Sequence, residues 1–340
     1  MMAASPEAFA FPVMSGDIGG TNARFVLIHD QDAAVERIPT LATADFATIE
    51  DAMAAAIGDR PEAERPKTAI LALAGPITGD RVAMTNNHWV VEPKKLIERF
   101  GLSDVILLND FEALSLCLPG LGTDGVDPIG DGVATPNGAR VVVGPGTGLG
   151  AGALIQSGGR WVPIPSEGGH IDLGPVSPRD FEIWPHLEQT FGRMSTETLV
   201  CGSGMLRLYR GVCAANGVDA RFGNEADVAA HGLAGDSPEA VETLALFATY
   251  LGRFAGDLAL VFTAYGGVYL AGGISARIAP ALKSGAFREA FVTKEPHRHL
   301  VERMATAIIV KPDPALAGIA HFARRPAEFG VELEGRWWRS

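Results

Sequence analysis

An apolar run, a glycine-rich turn and a second apolar run occur twice in this 340-residue chain. The first copy sets Gly16-Asp17-Ile18-Gly19-Gly20-Thr21-Asn22-Ala23-Arg24 between Phe11-Pro12-Val13-Met14 and Phe25-Val26-Leu27-Ile28. The second runs from Arg140-Val141-Val142-Val143 through Gly144-Pro145-Gly146-Thr147-Gly148-Leu149-Gly150 to Ala153-Leu154-Ile155. Each reads as a β-hairpin. One copy in each half implies an internal duplication, with both turns directed at a shared cleft. Gly19 and Gly20 allow positive φ and carry no Cβ, so a phosphate can lie against backbone N–H groups. Thr21 and Asn22 add neutral donors, and Asp17 is placed to hold Mg²⁺ through water, because hard cations take oxygen ligands. An ordinary tight turn explains the first fragment equally well when it is taken alone.

The second hairpin departs from two commoner nucleotide loops. A Walker loop ends in Gly-Lys-Ser/Thr, and no lysine stands here. The run from Gly146 to Ala151 matches a loose dinucleotide fingerprint, but the residues after it are strand-like and no acid follows at the expected spacing.

A chain of this length, 47% hydrophobic, can bury two domain cores. Its net charge of −12 argues against nucleic acid and anionic membranes as partners. An anionic nucleotide must then be received by local amides, a few cations and a metal. Cys117, Cys201 and Cys213 are odd in number and lack CxxC spacing, which disfavours disulfides and zinc and fits a reducing cytoplasm. Met1 to Ala10 has no basic region or apolar core of a secretory signal. The uncharged run Leu258 to Ala276 approaches spanning length, yet Gly266-Gly267 divides it, so a buried helix followed by a buried strand is expected.

Strand and helix signals alternate along the chain. Val35 to Ile38 supplies a third strand, Phe46 to Ile57 an amphipathic helix, and Thr68 to Ala74 a strand covered on both faces. Pro93 to Phe100 is helical, with proline at the first turn. Val105-Ile106-Leu107-Leu108 runs into Asn109-Asp110, which puts a carboxylate at the carboxyl end of a sheet, where open α/β sheets bind ligands. An Asp110 that merely caps the next helix is the plainer alternative. Pro119 to Gly138 is loop. Glu167 and His170, on a segment freed by Gly168 and Gly169, can hydrogen-bond a polyhydroxy ligand; no helix or second histidine supports a zinc site. Glu197 beside Ser195 has the pattern of a first-turn helix acid. Helices are expected over Pro178 to Phe191, Ser203 to Asn216, Ala226 to Leu233, Pro238 to Ala264, Ala281 to Phe291 and Pro314 to Arg324. Strands end in Gly272-Gly273-Ile274 and cover Ala307 to Val310, while Phe329 to Ser340 has no readable pattern.

Taken together, several of these blocks resemble the bacterial glucokinase family: Gly16 to Arg24, Ala74-Gly75-Pro76-Ile77, Met84-Thr85-Asn86, Leu108-Asn109-Asp110-Phe111, Gly146-Thr147-Gly148-Leu149-Gly150, Glu167-Gly168-Gly169-His170 and Leu270-Ala271-Gly272-Gly273. The resemblance runs from about Phe11 to Ala323 and implies the two-domain α/β, actin-like (ribonuclease H-like) sugar kinase fold. It implies a small domain of residues 11–116 plus 313–328, a large domain of residues 117–312, and a stretch 329–340 without an assigned place. By the same resemblance Gly16, Asp17, Gly19, Gly20, Thr21 and Asn22 form the first phosphate segment, Gly146, Thr147 and Gly148 the second, and Gly272 and Gly273 the adenosine segment. Asn109, Asp110, Glu167, His170 and Glu197 match sugar-contacting positions, with Asp110 as base. ATP, Mg²⁺ and glucose are the implied cofactors and substrates.

The segment after Glu197, Val200-Cys201-Gly202-Ser203-Gly204, departs from the family, which more often has serine at the Cys201 position and proline or arginine at the Ser203 position. The related sugar kinases and repressors carry a cysteine-rich zinc motif after their Glu-x-x-His, and none follows His170. A kinase for mannose or fructose uses the same hydroxyl contacts and stays open. A sugar-sensing regulator needs a DNA-binding head, for which too few residues precede Asp17. An actin-like or chaperone-type ATPase would hydrolyse ATP without sugar. Oligomeric state stays open, a homodimer being one option.

Overall fold

The computed structural model of the chain describes residues 8–84 and 87–340. By contact they form two units: one has the residues through Leu121, Leu154–Pro165 and everything from Pro312 onward; the other has Gly122–Ala153 and Ser166–Lys311. Thr85 and Asn86 of the Met84-Thr85-Asn86 block lie outside the described residues.

In the first unit, β1 (Val13–Ile18) and β2 (Asn22–Ile28) form the predicted hairpin, and β3 (Glu36–Arg37) and β4 (Leu41–Ala42) both pair with β2. β5 (Thr68–Leu73) lies parallel to β1 and is buried along its whole length, as a continuous apolar run should be. β6 (Val82–Ala83) and β7 (Val90–Val91) make a small separate hairpin, and β8 (Asp104–Asn109) runs parallel to β5. Alternate residues face opposite layers. Met14, Leu71 and Leu107 pack with the helices Ile49–Ile57 and Pro93–Phe100. Val13, Ile70, Ile106 and Leu108 pack with the helix Pro314–Arg324. The Pro93–Phe100 helix stops at Gly101, whose left-handed φ of 64° suits only glycine well.

A second sheet, in the order β12-β11-β10-β13-β14-β9, is formed by β9 (Val126–Pro128), β10 (Arg140–Pro145), β11 (Leu149–Ser157), β12 (Arg160–Ser166), β13 (Gly267–Leu270) and β14 (Thr306–Ile309); its strands belong to the second unit except for Leu154–Pro165 of β11 and β12, which belong to the first. β10, β13 and β14 are parallel, and β9 is antiparallel to β14. The helix Pro238–Phe262 is long and apolar enough to cross a membrane, but 61% of that stretch is buried within the fold. Gly252 and Gly256 lie one turn apart on it, and a Cβ at either would run into the carbonyl oxygens of Phe287 and Phe291. Glycine there sets how closely the helix Ala286–Val292 approaches.

Several boundaries differ from the sequence reading, each for a local reason. The helix expected to reach Phe191 ends at Ile183, where Pro185 cannot continue it, and passes into a 3₁₀ turn, Trp184–His186. The helix expected over Ala281 to Phe291 is two, Ala279–Lys283 and Ala286–Val292, broken at Gly285 with φ 109°. Gly272 and Gly273 do not end a strand: β13 stops at Leu270, and Gly272 opens the short helix Gly272–Arg277.

The unreadable stretch after Phe329 belongs to the first unit. Phe329 is fully buried, edge-on to Phe322. β15 (Trp337–Arg339) pairs antiparallel with β8 and gives the sheet the order β15-β8-β5-β1-β2-β3. Trp338 is 8% exposed and its indole N–H donates to Asp80 Oδ1 at 2.8 Å; the Trp337 indole donates to Asp104 Oδ1 at 2.8 Å. Trp338→Ala should therefore cost about 3–5 kcal/mol, the usual range for emptying an aromatic site. Urea unfolding monitored by circular dichroism measures it, and a loss under about 1 kcal/mol would show that β15 is only loosely laid on the sheet.

Candidate functional site

In the first unit the parallel strands bring the predicted residues to one edge. Ile18, Leu73 and Asn109 stand abreast in the register, so Gly19, Ala74 and Asp110 leave the sheet together at its carboxyl edge. Gly16 and Asp17 lie inside β1 rather than in the turn. A Cβ on Gly16 would come within 2.7 Å of Leu71 Cδ2, so packing explains that glycine. The turn itself closes through Gly19 N–H to Asn22 O at 2.9 Å, and Thr43 Oγ1 donates to Gly20 O at 2.8 Å. Thr21 is exposed and Asn22 half-buried. Gly19 does not take the positive φ expected of it; its room for a ligand comes from the missing side chain alone.

Asp17 keeps 22% of its side chain exposed, with Arg24 Nη1 at 3.3 Å. Burial pushes its carboxyl above the ordinary range, Arg24 pulls it down, and Asp313 adds to the rise. Asp313 in turn pairs with Arg37 and lies 3.9 Å from Arg24 Nε. Arg24 stands opposite Asp17 in the hairpin, whereas no sequence signal marked Asp313 as part of this network, because nearly the whole chain separates it from Asp17. Among the described residues no cluster of three or more His, Cys, Asp or Glu could hold a metal. One carboxylate in the strand that leads into a glycine turn still fits Mg²⁺, which dehydrates reluctantly and takes most of its ligands from water and phosphate.

Asn109, not Asp110, caps the helix Asp110–Ser115. Its Oδ1 accepts from Phe111 N at 2.9 Å and Glu112 N at 3.2 Å, while Glu112 Oε2 accepts from Asn109 N at 3.3 Å, a reciprocal capping box. Asp110 is the first helical residue, half-buried, with Oδ1 accepting from Phe111 N at 3.0 Å. The capping alternative for Asp110 is thus overturned. Asn109 Nδ2 reaches Gly75 O at 3.4 Å.

In the second unit Glu167, His170 and Glu197 come together. Glu197 occupies the first turn of the helix Thr196–Leu199, capped by Ser195 as expected, and its Oε2 accepts from Leu149 N at 2.7 Å. His170 Nδ1 lies 3.7 Å from Glu197 Oε1 and its Nε2 lies 3.9 Å from Glu167 Oε2, too long for hydrogen bonds, which leaves these groups open to ligand hydroxyls. The glycines before His170 do not loosen this segment. It forms a 3₁₀ turn, and a Cβ on Gly169 would collide with Leu149 O.

The second glycine turn closes through Gly146 N–H to Gly148 O at 2.8 Å. Its glycines have different reasons. A Cβ on Gly146 would meet nothing within 4 Å, whereas one on Gly148 would lie 2.5 Å from Glu197 Oε2. Gly202 N donates to Gly146 O at 2.9 Å, so the start of the helix Gly202–Ala215 joins the turn, a contact that sequence reading missed. Gly272 has φ 86° and stands against Pro145 O, while Gly273 faces open space. Cys201, where the family pattern prefers serine, accepts from Gly204 N at 3.3 Å and so keeps the capping role. None of the three cysteines is in a disulfide, and all are buried.

The family model described as Glucokinase matches residues 14–326. The glucokinase of Sinorhizobium fredii is 51% identical over 340 residues, covering 100% of both chains, and that of Agrobacterium fabrum is 49% identical over 98% of both. Among solved structures, a glucokinase from an Antarctic psychrotroph superposes with a TM-score of 0.82 at 32% identity, covering 92% of this chain and 98% of that one. A ROK family glucokinase from Streptomyces griseus, solved with glucose and AMPPNP, shares the fold at TM-score 0.60 and 20% identity, covering 92% of this chain and 99% of that one. With its two glycine turns, its Asn109-Asp110 edge and its Glu167-His170-Glu197 cluster set in that fold, the chain belongs to the glucokinase family.

Proposed function

We propose that the chain transfers the γ-phosphoryl group of ATP to the 6-hydroxyl of glucose with Asp110 as general base. The observation that carries the assignment of the base is the capping box. Asn109 and Glu112 satisfy the helix terminus between them, so Asp110 is not needed there and its carboxylate stands at the carboxyl edge of the parallel strands. We assign the two units the roles of small and large domain, and the glucose and ATP analogue bound in the related Streptomyces griseus structure support the substrate pair.

Phosphoryl transfer asks a protein mainly for positioning and charge stabilisation. Gly20, Thr21 and Asn22 on one turn and Thr147 and Gly148 on the other present backbone and side-chain donors to phosphate oxygens, while Gly19 and Gly146, whose N–H groups close the turns, leave space free of side chains. Gly272 and Gly273 leave a side-chain-free surface for adenosine. Glu167, His170 and Glu197 orient sugar hydroxyls, Asn109 offers its amide, and Asp110 takes the proton of the attacking hydroxyl. Asp17 would hold hydrated Mg²⁺ there, and the ion would supply positive charge against the phosphates. An ADP-release assay across a hexose panel tests the activity; ATP hydrolysis at full rate without sugar would refute it.

Asp110→Asn should lower kcat by about 10²- to 10⁴-fold, the usual contribution of general-base catalysis. Because Asn109 is the cap, the melting temperature should hardly move. Near-normal kcat in the folded variant would take Asp110 out of the mechanism.

The two glycines of the second turn should separate kinetically. Gly146→Val fills the open space assigned to phosphate and should raise the ATP KM about tenfold or more, on the order of losing one or two charge-assisted hydrogen bonds. Gly148→Ala displaces the Glu197 carboxylate and should act mainly on the glucose KM. Identical effects of both changes on both substrates would contradict the division.

Asp17 gives a prediction of opposite signs for stability and activity. Its carboxyl sits above the ordinary value in the folded chain, so its stabilising contribution is full below the unfolded value and is lost as pH rises through the folded one. Asp17→Asn should melt no lower than the parent at neutral pH, with the difference vanishing in acid, while turnover falls and more Mg²⁺ is needed. A lower melting temperature at neutral pH with an unchanged Mg²⁺ titration would exclude the assigned role.

A further inference from the structure

The segment beyond the family match, which ends at residue 326, reaches into the helix that carries Asp110. Glu112, in the first turn of that helix, is 1% exposed, and its Oε2 accepts from both Asn109 N at 3.3 Å and Arg336 Nη1 at 2.6 Å. Arg336 is itself only 15% exposed, and its carbonyl oxygen accepts from Leu107 N at 3.1 Å in β8. A second nitrogen of its guanidinium donates to Glu332 O. One guanidinium therefore links residues 332–336 to the buried acid that closes the capping box, two residues from the proposed base.

We propose that Arg336 is a positioning residue for the sugar site, holding Asn109 and Asp110 in place through the carboxylate of Glu112. The role rests on the reading of Asp110 as base. Its physical need is plain, because an unpaired carboxylate at 1% exposure is costly. Burial already pushes the Glu112 carboxyl above its ordinary range, Arg336 is the strongest influence pulling it back, and the Asn109 N–H adds to that. The other oxygen, Oε1, has no hydrogen-bond partner among the described residues, so the Arg336 contact is not duplicated. Without it, Glu112 must take up a proton or turn away, and either change loosens the acceptor that fixes Asn109 N. A shift of the base by about 1 Å is enough to cost up to 10²-fold in rate.

The test compares Arg336→Met, Arg336→Lys and the double variant Glu112→Gln/Arg336→Met for glucose kcat/KM, ATP KM and melting temperature. Arg336→Met should lower glucose kcat/KM about tenfold or more, within that range, and leave the ATP KM within about twofold. Arg336→Lys should fall between, since lysine keeps the charge but not the planar fork. The double variant buries no unpaired charge, and the amide oxygen that Glu112→Gln introduces can still accept from Asn109 N, so it should recover at least about fivefold over Arg336→Met. Wild-type glucose kcat/KM in Arg336→Met, equal losses for glucose and ATP, or no recovery in the double variant would each overturn the proposal. If Arg336→Met does not fold, Arg336→Lys is read by the same two criteria: a glucose-selective loss supports the role, and wild-type kinetics overturn it. A large loss of kcat in Asp110→Asn beside wild-type kinetics in the Arg336 variants would sink this inference alone. Near-normal kcat in Asp110→Asn would instead sink the assignment of the base.

Discussion

Three strands in parallel register decide where the chemistry of the first unit can be. β1, β5 and β8 run in step, so the residues that follow Ile18, Leu73 and Asn109 emerge at one sheet edge. Side chains alternate with a period of two, and slipping any one strand by a residue would exchange its two buried faces. Both faces are filled, one by the cluster containing Met14 and Leu71 and the other by that containing Ile70 and Leu108. Register is therefore enforced from both sides, and a glycine turn and a carboxylate taken from positions about ninety residues apart are delivered to the same edge. Parallel strands that are buried on both faces ordinarily bind ligands at this edge, beyond the ends of the strands.

The site residues are held by close approach more than by unusual backbone. Gly16 yields to Leu71, Gly148 to the carboxylate of Glu197, and Gly169 to the Leu149 carbonyl. None of these three takes a left-handed φ; each is a place where a methyl group would push an element away from its neighbour. The acids follow a complementary rule. Asp17 and Glu112 are both raised by burial and both opposed by one arginine. Glu197 instead fixes one oxygen on a backbone N–H and leaves the other beside His170. Carboxylates with a positional task thus have one oxygen committed, which holds the group still.

The elements that depend on local pattern were legible in the residues. Continuous apolar runs gave β5 and β8, and the helices expected from Pro93 and Pro314 begin at those prolines. The Asn109-Asp110 pair, the glycine turns and the Glu167-His170 segment were visible as motifs, and the structure brings His170 and Glu197 within 3.7 Å. What escaped depends on contacts remote in sequence. Nothing near Glu112 announces Arg336, and nothing in Trp337-Trp338 announces pairing with a strand that begins at Asp104. A two-tryptophan edge strand is too short to show alternation, so its identity comes from its partner. The reason assigned to the glycines also needed coordinates, because open φ space and absent Cβ look the same in a sequence.

The first unit is assembled from three stretches of chain, and its sheet joins strands that begin at Val13 to one that ends at Arg339. The second unit is nearly contiguous. During synthesis, when domains generally fold as they emerge, the second unit can close while the first still lacks the helix Pro314–Arg324 and β15. Until those residues exist, β8 is an unpaired edge and the apolar face built from Val13, Ile70 and Ile106 lacks its covering helix. Such a nascent chain exposes surface of the kind that chaperones bind and that aggregates form around. The half that carries the proposed base is thus the last to receive all of its strands and helices.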